Sequence, residues 1–257
     1  MQLSRWKHLG GCACAALLML LVGGSPARAA ENPCSIADDA FTFEPYLPKT
    51  LQALTERREI TVVAIGGAST EGRAASSPEA SWPAQFAATL RERFPGAKID
   101  LVVHAASRRT ASDMAARFVR DVLPLRPTLV IWESGTADAA RGTDIDEFRT
   151  TLQEGLEALR PGLGEVILMD MQYSPLTQSV IYFNRYLVVM RGVADVNEVP
   201  LFPRHRIMYD WAEMGFLDTS DRSPERRRAM ADKVYRCIGV AVADFVTRRP
   251  EGENVQR

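Results

Sequence analysis

Glu59-Ile60-Thr61-Val62-Val63-Ala64-Ile65-Gly66-Gly67-Ala68-Ser69-Thr70-Glu71-Gly72 is the stretch whose reading decides the fold. The β-branched residues Ile60, Thr61, Val62, Val63 and Ile65 run into paired glycines and a Ser-Thr step, so a buried strand breaks sharply into a polar turn. Its apolar residues are continuous, as in a strand of a parallel sheet covered on both faces. Ligands bind at the carboxyl ends of such strands, and Ser69 stands just past this one.

The same grammar continues in both directions. Before the strand, Leu47, Leu51 and Leu54 mark a helix over Pro48 to Arg57. After it, Ser81 is expected to cap a helix with Phe86, Leu90 and Phe94 on one side, and Pro95-Gly96 stops it. Ile99 to Val103, Thr128 to Trp132, Val166 to Met169 and Val199 to Phe202 read as further strands. Between them, Met114, Phe118 and Val122 predict one amphipathic helix, Phe148 to Leu159 another, and Thr177 to Ala194 a long third. Ser223-Pro224 opens a last helix to Val246, with Met230, Val234, Ile238, Ala241 and Phe245 inward. Strands alternating with helices predict an α/β fold with a parallel sheet in one domain, residues 30–257, core about 34–246.

Residues 1–29 read as something else. Arg5, Lys7 and His8 precede an apolar run from Cys12 to Val22, and Ala27-Arg28-Ala29 has the form of a cleavage site. The run is shorter than the ~20 residues of a membrane span. We therefore expect a signal peptide cut after Ala29, and a periplasmic or secreted protein without a membrane span. Cleavage removes three of the 31 basic residues and none of the 32 acidic ones, leaving a net charge of about −4. Nothing in that balance points to nucleic acid. It also leaves only Cys34 and Cys237, which in an oxidising compartment read as a disulfide closing nearly the whole domain, against the alternative of separate buried thiols.

Phosphate-binding loops do not fit the turn after the first strand. Gly66, Gly67 and Gly72 do not space as G-x-G-x-x-G, no Gly-Lys-Ser/Thr follows, and Ser69 lacks the second glycine of a hydrolase elbow. What remains is Gly67-Ala68-Ser69. This block resembles the first motif of the SGNH (GDSL) hydrolases, especially an exported bacterial group with Gly-Ser-Ser-Ser-Thr-Glu-Gly. Ser81-Trp82-Pro83, Ala115 with Arg117-Phe118, Pro127 to Trp132, Met169-Asp170, Gln172-Tyr173, Leu201-Phe202-Pro203-Arg204 and Met230, Asp232, Tyr235 and Cys237 are similar to that group's pattern too.

The resemblance implies a flavodoxin-like three-layer α/β/α sandwich with a central parallel five-stranded sheet. It also implies serine-dependent hydrolysis of acetyl or acyl esters of glycans or lipids, without metal or cofactor. The family mechanism uses a serine, an Asp-x-x-His base and an oxyanion hole completed by a glycine and an asparagine. Only Ser69 matches. Arg109 stands at the oxyanion glycine, Gly135-Thr136-Ala137 replaces G-x-N, and Arg226 and Ala229 fall on the Asp-x-x-His positions. Asp218 to Asp221 offers a carboxylate but no histidine, and His205 lies too early in the chain.

Two readings follow, and a third, a purely structural partner of another envelope protein, stands beside them. In the first, the chain is a catalytically impaired, accessory or glycan-binding protein of the cell envelope, with Arg109 and Arg226 favouring an anionic glycan. In the second, it is a rearranged esterase in which Ser69 is assisted by His104, at the end of the second strand, or by Glu133. Glu71 is expected to orient the loop after Ser69. The Arg226-Arg227-Arg228 run at a helix start is locally unfavourable and calls for a carboxylate or a ligand nearby.

Overall fold

Five parallel strands form the centre of the molecule in the order β2-β1-β3-β4-β5: β1 (Glu59–Gly66), β2 (Lys98–Ala105), β3 (Leu129–Glu133), β4 (Glu165–Met169) and β5 (Leu201–Phe202). The computed structural model describes residues 34, 36–37, 40–41, 46–160, 164–217, 221 and 223–249. The expected signal peptide lies outside them. Strand β1 pairs with β2 along its whole length and with β3 from Val62 to Ile65, so the strand that decides the sequence reading also sits at the middle of the sheet.

Side chains alternate across each strand, and both faces are covered. Val62, Ala64, Leu129, Ile131 and Ile167 face one layer with α1 (Pro48–Thr55), α2 (Trp82–Arg93), α8 (Arg204–Glu213) and α9 (Pro224–Thr247). Val63, Ile65, Val130, Trp132 and Leu168 face the other, with α3 (Ala111–Ala115), α5 (Ile145–Leu159) and α7 (Asn184–Val196). This is the three-layer α/β/α sandwich with the flavodoxin-like strand order. Gly239 of α9 lets that helix lie directly on α2, since a Cβ there would stand 2.7 Å from Gln85 Cβ and from Phe86 N.

Several local expectations need correction. Met114, Phe118 and Val122 are all buried, but on no single helix: α3 ends at Ala115, a π-helical turn spans Phe118–Val122, and a tight 3₁₀ turn spans Leu123–Leu125. Pro124, with no N–H to give, prevents a regular helix from continuing. The long helix is two, α6 (Pro175–Val180) and α7. Ile181 takes an extended conformation between them, and the break turns Phe183 fully into the core. Ser81 does not cap α2 with its side chain, because its hydroxyl donates to Pro78 O at 2.6 Å. Helices α4 (Thr136–Arg141) and α8 were not legible in the sequence. No helix among the described residues is long and apolar enough to cross a membrane.

Cys34 and Cys237 form a disulfide across a separation of 203 residues, tying the start of the domain to α9. In the chain-entropy account, closing so long a loop removes about 5 kcal/mol of denatured-state freedom. Replacing both cysteines by serine is expected to lower the unfolding free energy in urea by several kcal/mol, with wild type under reductant behaving the same way. Coincident unfolding curves for oxidised and reduced protein would refute this.

Candidate functional site

The turn after β1 is wound tightly by bonds from Glu71 N to Gly67 O, Gly72 N to Ser69 O and Arg73 N to Ala68 O. It carries Ser69 to the carboxyl edge of the sheet, where the side chain is 5% exposed. Glu133, last residue of β3, reaches the same point. Gly66 makes this approach possible, since a Cβ there would stand 2.7 Å from Glu133 Oε2 and would also run into Thr70.

The Ser69 hydroxyl lies 2.9 Å from both carboxylate oxygens of Glu133, to which it donates. Thr70 Oγ1 donates to Glu133 Oε2 as well. On its other side Ser69 Oγ accepts from Arg204 Nη1 at 2.6 Å, and the same nitrogen lies 3.2 Å from Glu133 Oε1. Arg204 opens α8 just past β5, with no exposed surface. Its Nη2 points to Gln172 Oε1 at 3.5 Å, and its Nε has no partner among the described residues. Three strand ends therefore meet in one buried serine, carboxylate and guanidinium cluster.

Behind it lies Asp170, after β4, which accepts the His205 N–H at 2.7 Å and so satisfies the first turn of α8. Burial pushes its carboxyl up to about 7, against the lowering effect of that bond and of Arg204. Asp138 in α4 holds the start of α3 in the same way, accepting from Ala111 N, and burial raises it to about 6.

In front of Ser69 is a cavity of about 290 Å³. Gly67, Ala68, Ser69, Arg109, Glu133, Gly135, Thr136 and Ala137, all named from the sequence, line it together, with Arg108, Met114, Ser134, Arg141 and Gln172 among their neighbours. Gly135 sits at φ +93° with its α-carbon against Met171, a position only glycine fills without strain. Glu71 stands behind the loop, accepting from Ser107 N at 3.1 Å and Ser107 Oγ at 2.8 Å, and so ties the β1 turn to the β2 turn.

Other expected members lie elsewhere. His104 is in register with Ile65, on the face covered by α3, α5 and α7, whereas Glu133 shares the opposite face with Ile131. Its imidazole makes no hydrogen bond to Ser69 and does not line the cavity; its Nε2 is buried without a partner among the described residues. It is near Asp121, which is held down to about 2 chiefly by Arg120 and only slightly by His104. His205, in the first turn of α8, packs on Tyr173 and Phe183 and contacts Gln178 at 3.2 Å. Arg226 and Ala229 are exposed on α9, away from the cavity. Arg226 pairs with Asp221, the carboxylate that the arginine run required. Asp218 to Ser220 lie outside the described residues.

Arg204 is the member of the cluster that its polar local sequence, Pro203 to Arg206, most conceals. The usable signal was its position, immediately past a strand end on the sheet edge that carries Ser69. Arg108 and Arg141 were missed because their charge converges on the cavity only through the β2 turn and α4. No group of three or more His, Cys, Asp or Glu side chains among the described residues is placed to hold a metal ion.

The model of the non-GDSL lipase-like family matches residues 33–251. The chain belongs to that family. Among solved structures, this non-GDSL lipase-like protein is similar to LAE5, an alpha/beta hydrolase enzyme from the metagenome of Lake Arreo, Spain, with 21% identity, TM-score 0.57, and 74% of this chain and 97% of that one covered. It is similar to Axe2, an acetylxylan esterase from Geobacillus stearothermophilus, with 19% identity, TM-score 0.54, and 70% of this chain and 94% of that one covered. A two-domain esterase active on acetylated mannans gives TM-score 0.65 at 16% identity over 81% of this chain and 56% of that one. These likenesses establish an esterase-like hydrolase fold. Comparison with curated protein sequences gave no match.

The cluster makes two predictions. Arg204→Met strands Glu133 as a buried, unpaired charge and is expected to cost roughly 3–5 kcal/mol in urea unfolding, while adding Glu133→Leu recovers most of it. A double variant no more stable than Arg204→Met alone would refute the coupling. For Asp170 the folded carboxyl titrates above its unfolded value of about 4. Its contribution is therefore fully present below about pH 4 and is lost as pH rises toward about 7. Asp170→Asn should raise Tm relative to wild type at pH 8 but not at pH 4; an equal difference at both would contradict the assignment.

Proposed function

We propose that this chain is an exported, esterase-fold protein that binds a carbohydrate ligand of the cell envelope without hydrolysing it, in an accessory role. The observation that carries the reading is the state of the Ser69 hydroxyl, which donates a hydrogen bond to Glu133 while one of its two lone pairs accepts from Arg204 Nη1 at 2.6 Å. A nucleophile needs a lone pair aimed at a carbonyl carbon and a base free to take the proton. Here the carboxylate that faces the hydroxyl is already matched by a buried guanidinium, and no histidine among the described residues lines the cavity. Loss of the base of a serine triad can cost ~10⁶ in rate, and loss of an oxyanion donor ~10² to 10³. Export is supported by the N-terminal pattern of basic, apolar and small residues and by the Cys34–Cys237 disulfide.

One contact favours a second reading. Glu133 at 2.9 Å from Ser69 Oγ has the reach of a general base, with Arg204 as the group that would steady a developing alkoxide. The assay that separates the two is hydrolysis of p-nitrophenyl acetate by the disulfide-bonded protein, its Ser69→Ala variant and its Glu133→Gln variant. We expect equal, background rates in all three. A rate that disappears with Ser69→Ala overturns the non-hydrolytic reading, and its loss in folded Glu133→Gln as well identifies the base.

A further inference from the structure

The cavity in front of Ser69 opens onto a surface whose charge Glu133 does not reach. Arg108, Arg109 and Arg141 stand at its mouth, and a wider groove of about 570 Å³ continues past them along Ser107, Asp113 and Arg117. Among the described residues, four guanidinium groups thus share a groove with one carboxylate. Part of that charge is compensated within the protein. Arg117 Nη1 lies 3.5 Å from Asp121; Arg141 Nη1 lies 3.7 Å from Asp113, and its Nη2 donates to Arg108 O at 2.7 Å. The Arg108 and Arg109 guanidinium groups have no hydrogen-bond or ion-pair partner among the described residues, and Asp113 acts on Arg109 only at a distance.

Ser134 is 2% exposed and lines the wall, yet its hydroxyl has no partner among the described residues; the buried hydroxyl of Thr136 is in the same state. Buried hydroxyls are nearly always satisfied by protein, water or ligand. The wall around Ser134 and Thr136 carries no charge of its own, while the mouth offers cations. A volume of about 290 Å³ is at the small end for ligand pockets, ~300–1,000 Å³, and suits one sugar-sized ring better than a chain segment.

We propose that the site takes an acidic sugar end-on. One hydroxyl-bearing ring enters against Ser134 and Thr136, and its oxyanion, a carboxylate or a phosphate ester, is held by Arg108 and Arg109 at the mouth. Arginine forks match both oxyanions with paired hydrogen bonds. Further units of a chain would leave along the groove toward Arg117. This deepens the ligand-binding reading of the same cavity and rests on it for the cavity being a ligand site.

Titration of the disulfide-bonded protein with galacturonate, glucose 6-phosphate and glucose, followed by NMR, tests it. At least one acidic sugar is expected to bind about tenfold or more tightly than glucose, with affinity falling as salt passes roughly 0.1 M, where screening sets in within about 10 Å. Which one binds identifies the oxyanion. Arg109→Gln, at a half-buried surface position, should cost about tenfold in that affinity and leave glucose binding unchanged. Acidic sugars that bind no better than glucose, or an unchanged affinity in Arg109→Gln, would overturn the proposal. The ester assay keeps the two readings apart: acid-selective binding with Ser69-dependent hydrolysis leaves this inference standing and removes the non-hydrolytic one. Equal background hydrolysis without acid-selective binding does the reverse.

Discussion

A guanidinium with no exposed surface is costly to bury, and the carboxyl edge of this sheet is arranged around meeting that cost. Arg204 is reached by Ser69 from the β1 turn, Glu133 from the end of β3 and Gln172 from beyond β4, while its own backbone begins α8 after β5. Each of these groups enters by a different loop, so the pair is satisfied only when β1, β3, β4 and β5 are in register. The carboxylate could not be alone there either. Glu133 sits on the face of β3 occupied otherwise by Leu129 and Ile131, and an unpaired charge at that place would be excluded from the core.

This constraint accounts for the close backbone around the cluster. Gly66 leaves room for Glu133 and Thr70 to meet, and the wound turn from Gly67 to Arg73 places Ser69 where both partners can bond it. Asp170 completes the arrangement from below. By accepting the His205 N–H it fixes the first turn of α8, and with it the direction in which Arg204 points. Burial raises the Asp170 carboxyl against the attraction of the nearby arginine.

The fold was legible because its strands are covered on both faces. A parallel sheet writes its strands as continuous apolar runs, and Ile60 to Ile65 or Leu129 to Trp132 read as nothing else. Helix continuity was less legible: Met114, Phe118 and Val122 keep helical spacing although the backbone changes pitch between them, because burial constrains the side chains and not the hydrogen-bond ladder. The site was legible only at its strand ends. Ser69, Glu133 and the Gly135-Thr136-Ala137 turn each follow a readable strand. Arg204 lies in Pro203-Arg204-His205-Arg206, a run that looks like solvated surface, and its burial is a property of three other loops. Conversely, Arg226 looked like a pocket residue by alignment and is paired on the surface with Asp221.

The position of Ser69 bears on how such sites are read. A serine at the nucleophile point of an esterase fold is evidence of chemistry when the hydroxyl has no other use. Here it has one. Without its oxygen, Arg204 would lose its shortest hydrogen bond and Glu133 one of its donors, in a place that water does not reach easily. The hydroxyl therefore has a structural reason to be present whether or not it ever attacks a carbonyl. His104 illustrates the complementary point, since it ends a neighbouring strand at the right height yet projects from the opposite face of the sheet. In a pleated sheet a shift of one residue changes the face, and closeness in sequence alignment or along the sheet edge does not bring a base to its nucleophile. What the edge does bring together is a neutralised interior and a cationic mouth, a division suited to holding a polar ligand with one charged end.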